Sequence, residues 1–307
     1  MLAHCPEPPR GLRRDRALPA TDFDALSVVH LGQAAAVFAT RSGTLVPVTA
    51  GPDGLVPGGL GVLDQAALAR ILARWSALSD RSGHDASTPR SARGGRPAPD
   101  QSGRRAPAID LRAWHTAATA VELRIPAAGR DGITPAQLAE LDRGLVHPSH
   151  AGFVPGERAT QLARHAVEAH RGGLGACVAA TVGAGMGTTP AGDDVICGVL
   201  AGLDLLGLEG AHGRLGAAVA PLLAATTRTS RHLLAAAVAG RYTEGLIRLA
   251  AALTSASVPA VRGALTVLAR WGASSGLDQA TGFAATIRAC LPPLRGAATG
   301  TLAGAGA

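Results

Sequence analysis

Residues 182–198 read V-G-A-G-M-G-T-T-P-A-G-D-D-V-I-C-G, and they combine three features that handle anions. Gly183, Gly185 and Gly187 stand at alternate positions without a Cβ, so backbone amides can turn toward one point. Thr188 and Thr189 add hydroxyls. Pro190, two acids and the apolar run V-I-C-G-V-L-A-G-L announce a helix, whose N-terminal partial positive charge favours a phosphate or carboxylate. The small, apolar run 176–182 before the loop reads as a buried strand or a helix end. The competing reading is that the glycines only allow close packing on a neighbouring element. Two familiar phosphate loops do not match: a Walker A loop needs a lysine and the chain has none, while the dinucleotide fingerprint fails at Thr188.

A second stretch repeats the first. Gly192-x-Asp194-x-x-x-Gly198 has the spacing of Gly276-x-Asp278-x-x-x-Gly282, and each follows small or hydroxyl residues, Ser274 and Ser275 in the second case. Adjacent helical positions point about 100° apart, so Asp193 and Asp194 address different neighbours. The position shared by both stretches is Asp194, because Asp193 is matched by Leu277. Asp194 and Asp278 are therefore expected to converge on one site, with Asp193 as a cap or supporting partner. Two carboxylates beside an anion repel it, so they must contact an amino group, hold a cation such as Mg²⁺, or point away. Between the stretches lies T-T-R-T-S-R-H at 226–232. Arg228, Thr229 and Ser230 there offer bidentate and hydroxyl contacts to an anion; the alternative is a hydroxyl N-cap with exposed arginines.

The block G-A-G-M-G-T-T-P-A-G-D-D-V-I-C-G-V-L-A-G-L resembles the G-x-G-x-T-P-S-G-D-D-x-x-x-G motif of the oxamate carbamoyltransferase subunit family, AllH-like, and residues 274–282 resemble that family's T-S-G-x-D-x-x-x-G block. Residues 226–230 and 237–246 are similar to the hydroxyl-rich helix start and A-x-x-G-x-x-x-E-x-L segment between them. The resemblance extends over 23–283, is strongest in the second half, and departs from the pattern at Ala191, where the family usually has Ser. It implies a subunit of a multi-subunit carbamoyltransferase acting on a small carboxylate or amide such as oxamate. Carbamoyl phosphate or a similar anion would be held by Gly183, Gly185, Gly187, Thr188, Thr189, Gly192, Arg228, Thr229, Ser230, Ser274, Ser275 and Gly276, with Asp194, Asp278 and Asp193 as the catalytic carboxylates. Mg²⁺ on Asp194 and Asp278 is a candidate, and no other cofactor is implied. Two rivals stand beside this: a non-catalytic substrate-binding or structural subunit, and a small-molecule kinase, because the loop also looks like the G-L-G-S-S-A loop of galactokinase-type enzymes.

The elements that must position these residues follow from composition and punctuation. With 3% aromatic residues and 40 glycines, the core is one of Ala, Leu and Val in close backbone packing. No window offers about twenty uninterrupted apolar residues and the N-terminus lacks an apolar leader pattern, so the expectation is a cytoplasmic protein with no membrane partner. Cys5, Cys177, Cys197 and Cys290 have no metal-site spacing. The formal charge of +7 traces to ten arginines in 10–16 and 81–105, without interleaved aromatics, which argues against nucleic acid. The small anionic metabolite is the expected ligand, with partner subunits or a homo-oligomer.

The fold class expected is α+β, an N-terminal β-rich unit followed by a mainly helical, Ala/Gly-rich domain. The divisions are a disordered tail 1–20, a β-rich domain 21–126 with a flexible insertion 79–107, a helical domain 133–295, and a disordered tail 296–307. Short apolar pieces in 25–31, 34–40, 44–49 and 51–57 read as strands, and 64–78 as a helix that closes the unit.

Overall fold

The structure is a computed structural model and describes residues 2–3, 8–9, 11–19, 23, 26–31, 35–51, 54–62, 66, 68–70, 73, 108–145, 156–168 and 172–291. The first part is a sheet. Strands β2 (Arg13–Asp15), β3 (Ser27–Leu31), β4 (Ala35–Ala39), β5 (Leu45–Ala50), β6 (Leu60–Val62) and β8 (Thr119–Val121) form one mixed sheet in the order β3-β4-β5-β6-β2-β8. β1 (Leu2–Ala3) and β7 (Ala108–Ile109) make a separate parallel pair. β3, β4 and β5 are an antiparallel meander, whereas β5 pairs with β6, and β2 with β8, in parallel.

Alternation along the strands gives this sheet two working faces. Phe38, Val46, Val48, Leu60 and Val62 point to one side, where Phe23, Leu111 and Trp114 of helix α1 (Arg112–Ala117) close a core. Val37, Ala39 and Leu45 form a second cluster on the opposite face, which looks toward the helical part.

That helical part comprises α2 (Pro135–Leu145), α3 (Gly156–Val167), α4 (Leu174–Thr181), α5 (Ala191–Leu205), α6 (Glu209–Val219), a 3₁₀ turn (Ala220–Ala225), α7 (Arg228–Val238), α8 (Glu244–Thr254), α9 (Val258–Leu268) and α10 (Ser275–Cys290). Nearly every residue of α5 and α10 is buried, so these two form the axis, and amphipathic helices such as α3 and α8 surround them. The architecture is the α+β arrangement expected: a six-stranded sheet, then a helical remainder.

Polar contacts lock the sheet to the bundle. Arg13 pairs with Glu244, whose own amide donates to the Leu55 carbonyl at 2.9 Å. Asp15 accepts from Arg241 at 3.1 Å, and His232 Nε2 bonds the Pro57 carbonyl at 2.7 Å.

Two expectations are corrected here. The segment assigned to a disordered tail, 1–20, contains β2, an interior strand of the sheet, with Leu12 and Leu18 buried. Its R-R-D sequence has no strand alternation; pairing with β6 and β8 and the Arg13–Glu244 ion pair hold it extended. In the span 51–57 expected as a strand, the described residues Gly51 and Gly54–Pro57 are in no strand, and the chain joins the sheet at Leu60–Val62, where Val48 and Ala50 provide a ladder. The insertion 79–107 and the tail 296–307 lie outside the described residues. Of the expected helix 64–78, the described residues Ala66, Leu68, Ala69, Arg70 and Ala73 are helical.

Candidate functional site

The glycine loop joins α4 to α5. Gly183, Gly185 and Gly187 all have positive φ, of 72°, 116° and 95°, which an L side chain resists. The loop's first turn is tied down internally: the Gly183 amide donates to Asp193 Oδ1 at 2.8 Å, and the Ala184 amide to the Thr181 carbonyl at 3.0 Å. The amides of residues 185–189 donate to no described residue, and 185–188 are exposed. Any ligand amides therefore begin at Gly185 and not at Gly183.

Asp193 explains why the hydroxyl-rich segment lies here. Its second oxygen accepts from both Thr226 and Ser230, the latter at 2.6 Å, so one buried carboxylate fastens the loop to the start of α7. Thr227 caps α7 by accepting from the Ser230 amide at 3.1 Å and donates its hydroxyl to the Thr188 carbonyl. The arginines of this segment turn away from the loop: Arg228 donates to the Gly43 carbonyl at 2.8 Å, and Arg231 to the carbonyls of Leu223 and Ala224.

The two repeated stretches are brought side by side. Thr189 and Ser275 hydroxyls touch at 2.8 Å at the starts of the two helices, an added Cβ at Gly198 would meet the Gln279 carbonyl, and one at Gly202 would meet Thr286. These contacts advance together along both chains, so α5 and α10 run parallel with their N-termini at the same end. The likeness extends backward: an added Cβ on Gly192 would lie 2.0 Å from the carbonyl of Thr181, the last residue of α4, and one on Gly276 lies 1.8 Å from that of Leu268, the last of α9. The two glycine–acid motifs thus belong to a repeated helix–loop–helix unit.

Asp194 and Asp278 occupy matched positions in the first turns of this pair. Both are buried, and Oδ2 of each has no hydrogen-bond partner among the described residues. Burial pushes the Asp194 carboxyl well above the usual range, opposed by bonds from Gln279, at 3.0 Å, and Ser275, and reinforced by the neighbouring charges of Asp278 and Asp193. Burial raises Asp278 as well, against a bond from Ser274. Among the described residues no third His, Cys, Asp or Glu joins them as a metal-binding group, so a Mg²⁺ ion there would need hydroxyls and water for its remaining ligands.

A cavity of about 460 Å³ opens directly beyond this helix end, between the bundle and the second face of the sheet. Thr188 and Thr189 contribute the glycine-loop side, Thr229 and His232 the start of α7, and Arg270, Trp271 and Ser275 the loop before α10. Val37, Leu45 and Pro47 form the sheet wall. Asp194 and Asp278 lie behind Thr189 and Ser275, not on the wall, and among the described residues no Asp or Glu lines the cavity. Burial lowers the His232 pKa, leaving a neutral ring that donates to Pro57. Arg270 is the lining arginine, and its guanidinium has no partner among the described residues. Sequence reasoning missed Arg270, Trp271, His232 and Gln279; the position of Arg270 and Trp271 just ahead of the second Gly–Asp stretch was the available signal.

Fold and cavity define an α+β protein with a ligand-sized cleft between a mixed sheet and a helical repeat. Residues 181–287, the span from the end of α4 into α10, match the family described as oxamate carbamoyltransferase subunit AllH. No curated protein and no solved structure matches the chain. No helix among the described residues is long and apolar enough to cross a membrane.

Proposed function

We propose that this chain is the small-anion-binding subunit of a carbamoyltransferase acting on a small carboxylate or amide of the oxamate kind, with carbamoyl phosphate or a similar anion held at the glycine loop. One observation carries the reading: the starts of α5, α7 and α10 meet at one cavity of about 460 Å³ with no acid among its described lining residues, within the roughly 300–1,000 Å³ usual for small-molecule sites. The amides of Thr188 and Thr189 on the cavity wall, and of Gly185, Met186 and Gly187 exposed next to them in the loop, donate to no described residue, and these amides and the positive ends of the helices favour negative charge. In the reaction, the acceptor nitrogen attacks the carbamoyl carbon, the carbon–oxygen bond to phosphate breaks, and the loop amides stabilise the charge collecting on the departing phosphate. Asp193 holds the loop in shape, while Asp194 orients Gln279 and Ser275 behind the reacting groups.

Calorimetric titration of the purified chain with inorganic phosphate and carbamoyl phosphate tests this. Gly187 has open space around its Cα but a φ of 95°, so Gly187→Ala is expected to distort the amides and weaken both ligands about tenfold or more with the fold intact. Unchanged affinity would remove the loop from the site.

The lack of a lining carboxylate among the described residues also supports the second reading, a subunit that binds substrate while a partner supplies the chemistry. Reconstituted transferase activity that survives Asp194→Asn decides in favour of that alternative.

A further inference from the structure

We propose that the cavity binds two anions, one from each half of the internal repeat, and that Arg270 anchors the second, a small carboxylate on the acceptor substrate. This rests on the function proposed above and assigns the acceptor's own subsite.

The repeat supplies the argument. In each half a helix ends, a loop follows, and a Gly-x-Asp helix start packs its glycine against the last carbonyl of the preceding helix. The first loop offers backbone amides. The second, residues 269–274, has no comparable run of glycines and instead places Arg270 and Trp271 on the cavity wall. The two loops meet at Thr189 and Ser275, 2.8 Å apart, so their ligands would lie side by side in one space.

Arg270 is suited to this by elimination and by chemistry. Arg228 and Arg231, the nearby cations in the hydroxyl-rich segment, donate to backbone carbonyls outside the cavity, and His232 is neutral. Among the described residues no acid lines the cavity to neutralise the remaining guanidinium. A guanidinium forms two parallel bonds to a carboxylate, and the half-buried Trp271 beside it gives a flat wall for a planar acid amide. Val37, Leu45 and Pro47 make the facing side apolar, so it offers no partner to a second charged group there.

The test uses two probes, inorganic phosphate and oxamate, and the variants Arg270→Gln and Arg270→Lys, with the melting temperature of each confirming the fold. The expected result is that Arg270→Gln weakens oxamate about tenfold or more and leaves phosphate within about twofold; Arg270→Lys, which keeps charge but loses the fork, is intermediate. Phosphate and oxamate should also bind together. Competition between them, or an Arg270→Gln variant that holds oxamate normally, overturns the two-subsite assignment. Phosphate binding without oxamate binding overturns it too, whereas failure of phosphate itself to bind overturns the underlying function.

Discussion

Asp194 is a carboxyl group that water does not reach, and that location fixes how stability responds to pH. Its ordinary value is 3.8 and burial raises it in the folded chain, so on raising the pH the unfolded chain releases its proton first. The folded state is therefore favoured in acid, and that advantage is lost as pH climbs from the ordinary carboxylate value through the raised one. Asp194→Asn keeps the oxygen that accepts from Gln279 and removes the ionisation. The variant should gain melting temperature over the native chain at about pH 8 and little at about pH 4, with Asp278 leaving part of the slope in place. Melting curves across that range read the effect. An Asn variant that loses stability most at the alkaline end shows instead that Asp194 is ionised and matched by a bound cation. The neighbouring Asp193 does different work: it is fully occupied by Gly183, Thr226 and Ser230, so the two adjacent acids divide into a fastener and a charge reservoir.

Helices α5 and α10 approach so closely that backbone meets backbone. A Cβ at Gly198 would stand 1.9 Å from the Gln279 carbonyl, and one at Gly282 would stand 2.1 Å from that of Val195, the equivalent contact across the repeat. Neither obstacle is a flexible side-chain end, so Gly198→Ala and Gly282→Ala should each cost about 2–4 kcal/mol by forcing the axis apart. Gly213, in α6 with nothing within 4 Å, is the control: Gly213→Ala should stabilise by about 0.5–1 kcal/mol. Denaturant titration of the three separates them, and a mild Gly198 variant would mean that the helices pack otherwise. At this scale the sequence was informative. Helix α2 begins where its own residues dictate, with the Thr134 hydroxyl accepting from the Gln137 amide and Pro135 in first position, and the repeated Gly-x-Asp pattern showed which positions of α5 and α10 share one level. The cap of α5 was not legible, because Pro190 takes that place while the Thr189 hydroxyl bonds across to Ser275, a partner 86 residues away.

The cavity exists only because the sheet is docked on the bundle, and that dependence on distant pieces hid half of it from sequence reasoning. The glycine loop announced itself through local residue types, but Arg270, Trp271 and the wall of Val37, Leu45 and Pro47 have no shared period or motif. Strand β2 was hidden for the same reason, since its ladder partners and Glu244 are all remote in the chain. The docking contact at Glu244 turns this into a prediction. Glu244 opens α8, pairs with Arg13 of β2, accepts from the Leu55 amide at 3.3 Å and is mostly buried, so Glu244→Ala strands the Arg13 charge and frees an amide at the junction. The expected loss is about 2–4 kcal/mol, less than for a fully buried pair because both side chains keep some water. If the sheet is a true wall of the ligand site, the same variant should also weaken oxamate and phosphate together, by a similar factor, even where it remains folded. Calorimetry below the variant's melting temperature measures this, and normal affinity for both ligands in a destabilised Glu244→Ala chain would place the binding site on the helical repeat alone.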